Sequence, residues 1–178
     1  MTTWTYDAAS GNLLSKTDAA GRSVTYTHDV AGRLLTRTWQ RGEVTTYSYD
    51  GAGRLTGIDY SDNTPDVTHA YDRAGRRIST TDAAGTHTFT YDAASGGQLA
   101  SWSVGGSGVW SGLNVAHTYS SGQRSSRATS LGGITLPTAS YAYDATSGRM
   151  ASVSADGVTA TYRHNAATGW NEGVSYNG

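Results

Sequence analysis

Tyr49-Asp50-Gly51-Ala52-Gly53-Arg54-Leu55 is the stretch that decides the fold, because close variants of it return along the whole chain. The lead residue recurs at His28 and Tyr71, in longer copies at Tyr6, Tyr91 and Tyr143, and in weaker copies at Tyr119 and His164. The copies are spaced by about 21 residues, which indicates a repeat architecture. The residues of the repeat motif are Tyr6, Asp7, Gly11, His28, Asp29, Gly32, Arg33, Tyr49, Asp50, Gly53, Arg54, Tyr71, Asp72, Gly75, Arg76, Tyr91, Asp92, Tyr143, Asp144, Gly148 and Arg149.

Each motif carries the chemistry of a tight turn. Its Asp is able to accept a hydrogen bond from its own backbone two residues further on, and its Gly is able to take a positive φ. A second Gly-containing turn lies between one motif and the next, for example at Asp18-Ala19-Ala20-Gly21. The sequence therefore predicts two turns in every repeat.

The segments before the motifs alternate between large and small side chains. Val24, Tyr26 and His28 alternate with Thr25 and Thr27, and similar patterns precede the other motifs. Period two is typical of a half-buried β-strand, so we predict an all-β fold, an antiparallel meander of β-hairpins. The strands after the motifs are ambiguous, because neighbouring apolar residues such as Leu34 and Leu35 point to opposite faces of a regular strand.

Composition supports strands and turns over helices. The 178 residues include 23 Gly and 12 Tyr but one Lys, and the net charge of −1 gives no sign of nucleic-acid binding or of an anionic membrane partner. The absence of Cys excludes disulfides and Cys metal sites. No apolar run reaches membrane-spanning length, and the first residues do not resemble a signal peptide.

We interpret residues 1–178 as a single domain of about eight repeats. The pattern is irregular near residues 59–66, 105–113 and 123–137, where Gly, Ser and Pro predict extended loops. Stacked repeats would also align the Asp and Arg of successive motifs at the turn edge. We expect a solvated rim of ion pairs there, and a polyanion- or sugar-binding edge is the alternative.

The sequence predicts no catalytic residue, no metal site and no cofactor. The histidines share the strand parity of the motif tyrosines, so we interpret them as substitutes for the aromatic residues that stack from one repeat to the next. These histidines are His28, His69, His87, His117 and His164. Turn formation accounts for most of the Asp residues, and no nucleophile elbow or phosphate-binding loop is present.

The motif Tyr-Asp-x-x-Gly-Arg-Leu at this period resembles the YD repeat, which is shared by bacterial Rhs proteins, the encapsulating subunits of Tc toxins, wall-associated proteins and animal teneurins. The resemblance implies a curved, spiralling ribbon of hairpins that forms part of a shell around a C-terminal effector, or part of a surface fibre. It also implies partners in further YD repeats of the same or a neighbouring chain and in an enclosed effector, and a secreted or cell-surface location. The Asp-Pro self-cleavage site of the toxin members is absent, since Thr64 and Leu136 precede the two prolines.

A carbohydrate- or cell-surface-binding module is the alternative function. Trp110 lies in a Gly/Ser-rich segment, where an exposed ring would be free to stack on a sugar. Packing or hydrophobic cover is the simpler interpretation of this side chain. Glycans are therefore a second class of expected partner.

Overall fold

The computed structural model describes all 178 residues, and it contains sixteen β-strands and no helix. It divides into two compact units, residues 1–83 and 84–178, where the sequence interpretation gave a single domain. None of its elements is a helix with the length and apolarity needed to cross a membrane.

Eight strands make up the first unit, and each pairs antiparallel with the next strand in sequence. Their bounds are β1 (Thr3–Tyr6), β2 (Leu13–Thr17), β3 (Ser23–His28), β4 (Leu34–Trp39), β5 (Val44–Tyr49), β6 (Leu55–Tyr60), β7 (Val67–Tyr71) and β8 (Arg77–Asp82).

The second unit also has eight strands that pair antiparallel in sequence order. Their bounds are β9 (Gly85–Asp92), β10 (Gln98–Gly105), β11 (Leu113–Ser120), β12 (Gln123–Leu131), β13 (Ile134–Tyr143), β14 (Met150–Ala155), β15 (Val158–His164) and β16 (Asn171–Asn177). The predicted all-β antiparallel meander is confirmed in both units.

The two faces of the sheet differ in chemistry. In the first unit, cross-strand pairs such as Tyr47 with Ile58 put large side chains on one face. The other face carries hydroxyl residues, and Thr27 and Thr36 are hydrogen-bonded side chain to side chain at 2.7 Å. Few side chains are enclosed, because each unit is built from a single sheet: Thr45 and Val104 are 2% exposed, and most of the large face is half-buried.

A β-bulge follows each motif turn. Thr27 pairs with Thr36 and the next residue, His28, pairs with Leu34, so Leu35 is the extra residue of β4. The same shift occurs opposite the lead residue in all eight repeats. Because one residue is added, Leu34 shares the face of Arg37 and Trp39 in spite of its odd spacing from Arg37. The bulge thus resolves the ambiguity of the second strands.

One predicted loop is wrong and two lie close to their predicted places. Residues 123–137 are not a loop but belong to β12 and β13, which are joined by a two-residue turn at Gly132-Gly133. Both glycines have a positive φ, as a type I′ hairpin requires, and Pro137 lies at a shift in register, where a ladder hydrogen bond is dispensable. Irregular connections occupy residues 61–66 and 106–112.

Candidate functional site at the repeat turns

The motif turn is held by one carboxylate. Asp50 Oδ1 accepts hydrogen bonds from the backbone N–H groups of Ala52 and Arg54, each at 2.9 Å, and Oδ2 accepts one from Arg54 Nε at 2.7 Å. The backbone closes the turn, because Gly53 N–H donates to the carbonyl of Asp50 at 2.9 Å. Gly53 has a φ of +80°, a conformation that glycine adopts without strain.

Two versions of this turn recur. In the five-residue version, Asp29 and Asp72 make the same bonds as Asp50, and so does Asp18 in a turn between motifs. In the longer version at Asp7 and Asp144, the carboxylate instead accepts from the hydroxyl and the N–H of a Ser three residues on. Both versions satisfy backbone donors that a turn would otherwise leave to water.

Hydrogen bonding lowers the pKa of the turn carboxylates. For Asp50 the main cause is the backbone N–H of Arg54, while desolvation opposes it and the Arg54 guanidinium adds to the lowering. Asp29 and Asp72 have a lowered pKa for the same reasons. A carboxyl group whose pKa is lower in the folded state adds stability above its unfolded pKa of about 3.9 and loses it as the pH falls further.

We therefore expect Asp50→Asn to destabilise the chain at pH 7 and less at pH 2, because the stability that the ionised carboxylate adds is lost as the pH falls below its unfolded pKa of about 3.9. The measurement is the urea midpoint at both pH values. Asp59→Asn is the matched control, since Asp59 lies in a strand and holds no turn. A deficit of the Asp50 variant that is equal at both pH values would contradict this assignment.

Successive repeats are joined by their lead residues and arginines. The hydroxyl of Tyr71 donates to the carbonyl of Leu55 in the preceding motif at 2.8 Å. The guanidinium of Arg54 lies over the ring of Tyr71, with Cζ 4.7 Å from the ring centroid, and its Nη1 donates to the carbonyl of Asp72 at 3.1 Å. Arg54 thus binds the carboxylate of its own turn and also contacts the next turn.

This coupling is repeated with changes of residue. Arg33 lies over Tyr49, whose hydroxyl donates to Leu34. In the second unit, Gln98 and Gln123 take the place of the arginine and donate to backbone carbonyls of the next turn, at 2.8 and 2.7 Å. The acceptors of these two bonds are the motif glycines Gly122 and Gly148.

The expected rim of ion pairs is present in the three five-residue motifs but not at Asp144 and Arg149, and it is not fully solvated. In the pair of Arg33 with Asp29, the side chains are 37% and 16% exposed. The contacts of Arg33 and Arg54 with the next repeat were not predicted from the sequence. The sequence signal for this contact was a recurring hydrogen-bond donor directly after the motif Gly. The residues at this position are Asn12, Arg33, Arg54, Arg76, Gln123 and Arg149.

The histidines lie in separate places and form no common site. His87 stacks on Trp102 with ring centroids 6.1 Å apart, and His69 Nδ1 is 3.0 Å from the hydroxyl of Thr80. Burial, together with nearby arginines, lowers the pKa of His69 and His117. No three His, Asp or Glu side chains come together as metal ligands.

Trp110 lies in the irregular connection between β10 and β11 and is 58% exposed. Its carbonyl accepts a hydrogen bond from Leu113 N–H at 3.0 Å, and no ring contact involves its indole. A sugar contact at this residue stays a prediction.

The geometry defines a class of protein: an antiparallel β-repeat scaffold in which, within each unit, side chains of one repeat contact the turn of the next. The sequence profile of the RHS Repeat family matches residues 6–38, 40–65 and 71–108, which together make up more than half of the chain. The chain therefore belongs to the RHS repeat family and is a structural repeat module. No curated protein matches its sequence significantly.

Similar solved structures come from Tc toxins. The crystal structure of TcdB2-TccC3-Cdc42 shares 16% identity with a TM-score of 0.51, over 98% of this chain and 11% of that one. The crystal structure of TcdB2-TccC3-TEV shares 17% identity with a TM-score of 0.51, over 98% of this chain and 11% of that one. A Tc holotoxin pore of Photorhabdus luminescens with a substituted TccC3 shares 14% identity with a TM-score of 0.51, over 99% of this chain and 12% of that one. Identities this low show the fold alone, and the chain spans about a tenth of the length of these structures.

Proposed function

We propose that this chain forms part of a shell or surface fibre built from RHS repeats, which encloses or presents a C-terminal effector. The observation that carries the proposal is the coupling between repeats within each unit: a tyrosine hydroxyl and an arginine join neighbouring turns in the first unit, and a glutamine replaces the arginine in the second. Such contacts extend a scaffold by adding identical units. We therefore assign the chain a structural role.

The exposed edge of the first repeat supports further repeats as partners. Tyr6 is 59% exposed, and no preceding arginine or carbonyl contacts it, unlike Tyr49 and Tyr71. Strand β1 pairs with β2 on one side, so its other edge presents free backbone groups. A further repeat, of the same or a neighbouring chain, would pair with this edge and cover Trp4, which is 52% exposed.

An effector and an extracellular location follow from the Tc toxin structures by analogy. Their chains are several times longer than this one, and they share its fold. We propose that a longer assembly of these repeats acts outside the cell and holds its cargo on one face of the sheet.

The open edge gives a direct test. In sedimentation velocity, we expect the isolated chain to associate as its concentration rises, because the edge of β1 pairs with other strands. Trp4→Lys places a charge at that edge and should reduce association. Val30→Lys, at a fully exposed turn position, is the matched control and should leave association unchanged. A wild-type chain that stays a compact monomer throughout would argue against the proposal.

A further inference from the structure

A groove on the large-residue face of the first unit has no role in the coupling of the repeats. It has a volume of about 880 Å³, within the range of roughly 300–1,000 Å³ that is typical of ligand sites. Its lining combines aromatic and basic side chains, chiefly Tyr26, Trp39, Lys16, Arg37 and Arg41. It lies on β2, β3 and β4 and on the turns that join them.

The register of the strands explains why these side chains meet. Lys16, Val24 and Trp39 lie directly opposite one another on adjacent strands, and Tyr26 lies opposite Arg37 one step along. All five residues therefore share one face. Val24 and the two aromatic rings form the floor, and the two cations lie at opposite corners.

Two of the cations in the groove lack a partner. Arg22 and Arg41 form ion pairs with Asp18 and Glu43 at 2.7 and 2.8 Å. Lys16 forms no ion pair, and the side chain of Arg37 makes no hydrogen bond in the molecule. The Arg37 guanidinium lies over Trp39, with Cζ 4.5 Å from the ring centroid, and its shielded Nε is left unpaired. A guanidinium held flat in this way is arranged to receive a carboxylate through its terminal N–H groups.

We infer that this groove binds an acidic peptide segment with two carboxylates on either side of an apolar residue. Trp, Tyr and Arg are the residues most enriched among the energetic centres of protein interfaces, and all three line this groove. Both edges of β2, β3 and β4 are already paired, so the segment binds through its side chains and does not add a strand.

The spacing of the cations sets the spacing of the carboxylates. Lys16 and Arg37 are two strands and two residues apart, which corresponds to about 12 Å between their Cα atoms. In an extended peptide, residues four apart are separated by about 13 Å and point to the same side, together with the residue midway between them. Two glutamates at this spacing reach both cations and place the middle side chain over Val24 and Tyr26. A single small anion does not span the two corners.

The test uses the amidated, rhodamine-labelled heptapeptide Ser-Glu-Thr-Leu-Thr-Glu-Ser and fluorescence anisotropy with the full chain. We expect saturable binding that weakens about tenfold when both glutamates are replaced by glutamine, and about fivefold with either Arg37→Met or Lys16→Met. Arg73→Met is the matched control, since it removes one exposed cation of the same unit outside the groove. It should change the affinity by less than about twofold.

Several results would overturn the inference. These are equal binding of the glutamine peptide, equal losses with Arg73→Met and Arg37→Met, or displacement of the peptide by inorganic phosphate at matched concentration. Tight binding of an oligogalacturonate by a chain that does not bind the peptide would assign the groove to acidic glycans instead. Lys16 is exposed and makes no internal bond, so its variant keeps the test valid if Arg37→Met unfolds the chain. Trp110→Ala, which lies outside the groove, should bind like the wild type.

Discussion

Gly85→Ala should cost roughly 3 kcal/mol of unfolding free energy, a large effect for the removal of a single glycine. Gly85 opens β9 with a φ of +125°, which an L side chain rarely adopts. A Cβ built on it would also overlap the backbone carbonyl of Gly105 at the end of β10. Backbone atoms of a paired strand have little room to move, so conformational strain and steric overlap add together. Urea unfolding followed by far-UV circular dichroism measures the loss.

Gly96→Ala separates the two causes. Gly96 has a φ of +78°, but a Cβ there would meet nothing within 4 Å. Its substitution should therefore cost about 1 kcal/mol, the strain of an ordinary left-handed residue without steric overlap. If the two alanine variants were equally stable, the close approach between β9 and β10 would be absent and the first prediction would fail.

Tyr71→Ala is expected to cost about 3 kcal/mol, because three contacts are lost together. The hydroxyl bond to Leu55 contributes about 1 kcal/mol, the Arg54 guanidinium over the ring about 0.5–1, and the burial of half the ring the remainder. Tyr71→Phe removes only the hydroxyl bond and should cost about 1 kcal/mol. Equilibrium unfolding in urea is again the measurement.

Tyr6→Ala is the matched control for Tyr71, since it removes the same motif residue at a position where the ring is 59% exposed and no arginine or carbonyl of another repeat contacts it. We expect a change within about 0.5 kcal/mol. A double-mutant cycle of Tyr71→Ala with Arg54→Met should give a coupling of about 0.5–1 kcal/mol across the repeat boundary. Equal costs for Tyr6→Ala and Tyr71→Ala would show that the contacts between repeats add nothing to stability, and the structural role proposed for the chain would lose its main support.

The local rules of the fold were accessible from the sequence. Strands such as Val44–Tyr49 alternate large and small residues, and turns such as Asp50 to Arg54 require an acceptor at the start and a glycine near the end. Both rules involve residues close together in the chain. For the same reason the interpretation failed at 123–137, where Gly132-Gly133 and Pro137 have the composition of a loop but act within a hairpin.

By itself, the sequence determined the repeat, its period, the position of each motif turn and the family to which the chain belongs. These depend on periodicity and on turn chemistry, which act over a few residues. Only the tertiary structure decided the faces of the second strands, the contact of Arg54 with Tyr71, and the meeting of Lys16 with Arg37 and Trp39. The physical reason is the bulge: one added residue reverses the alternation of a strand, and its presence is fixed by pairing with a neighbouring strand rather than by local preference.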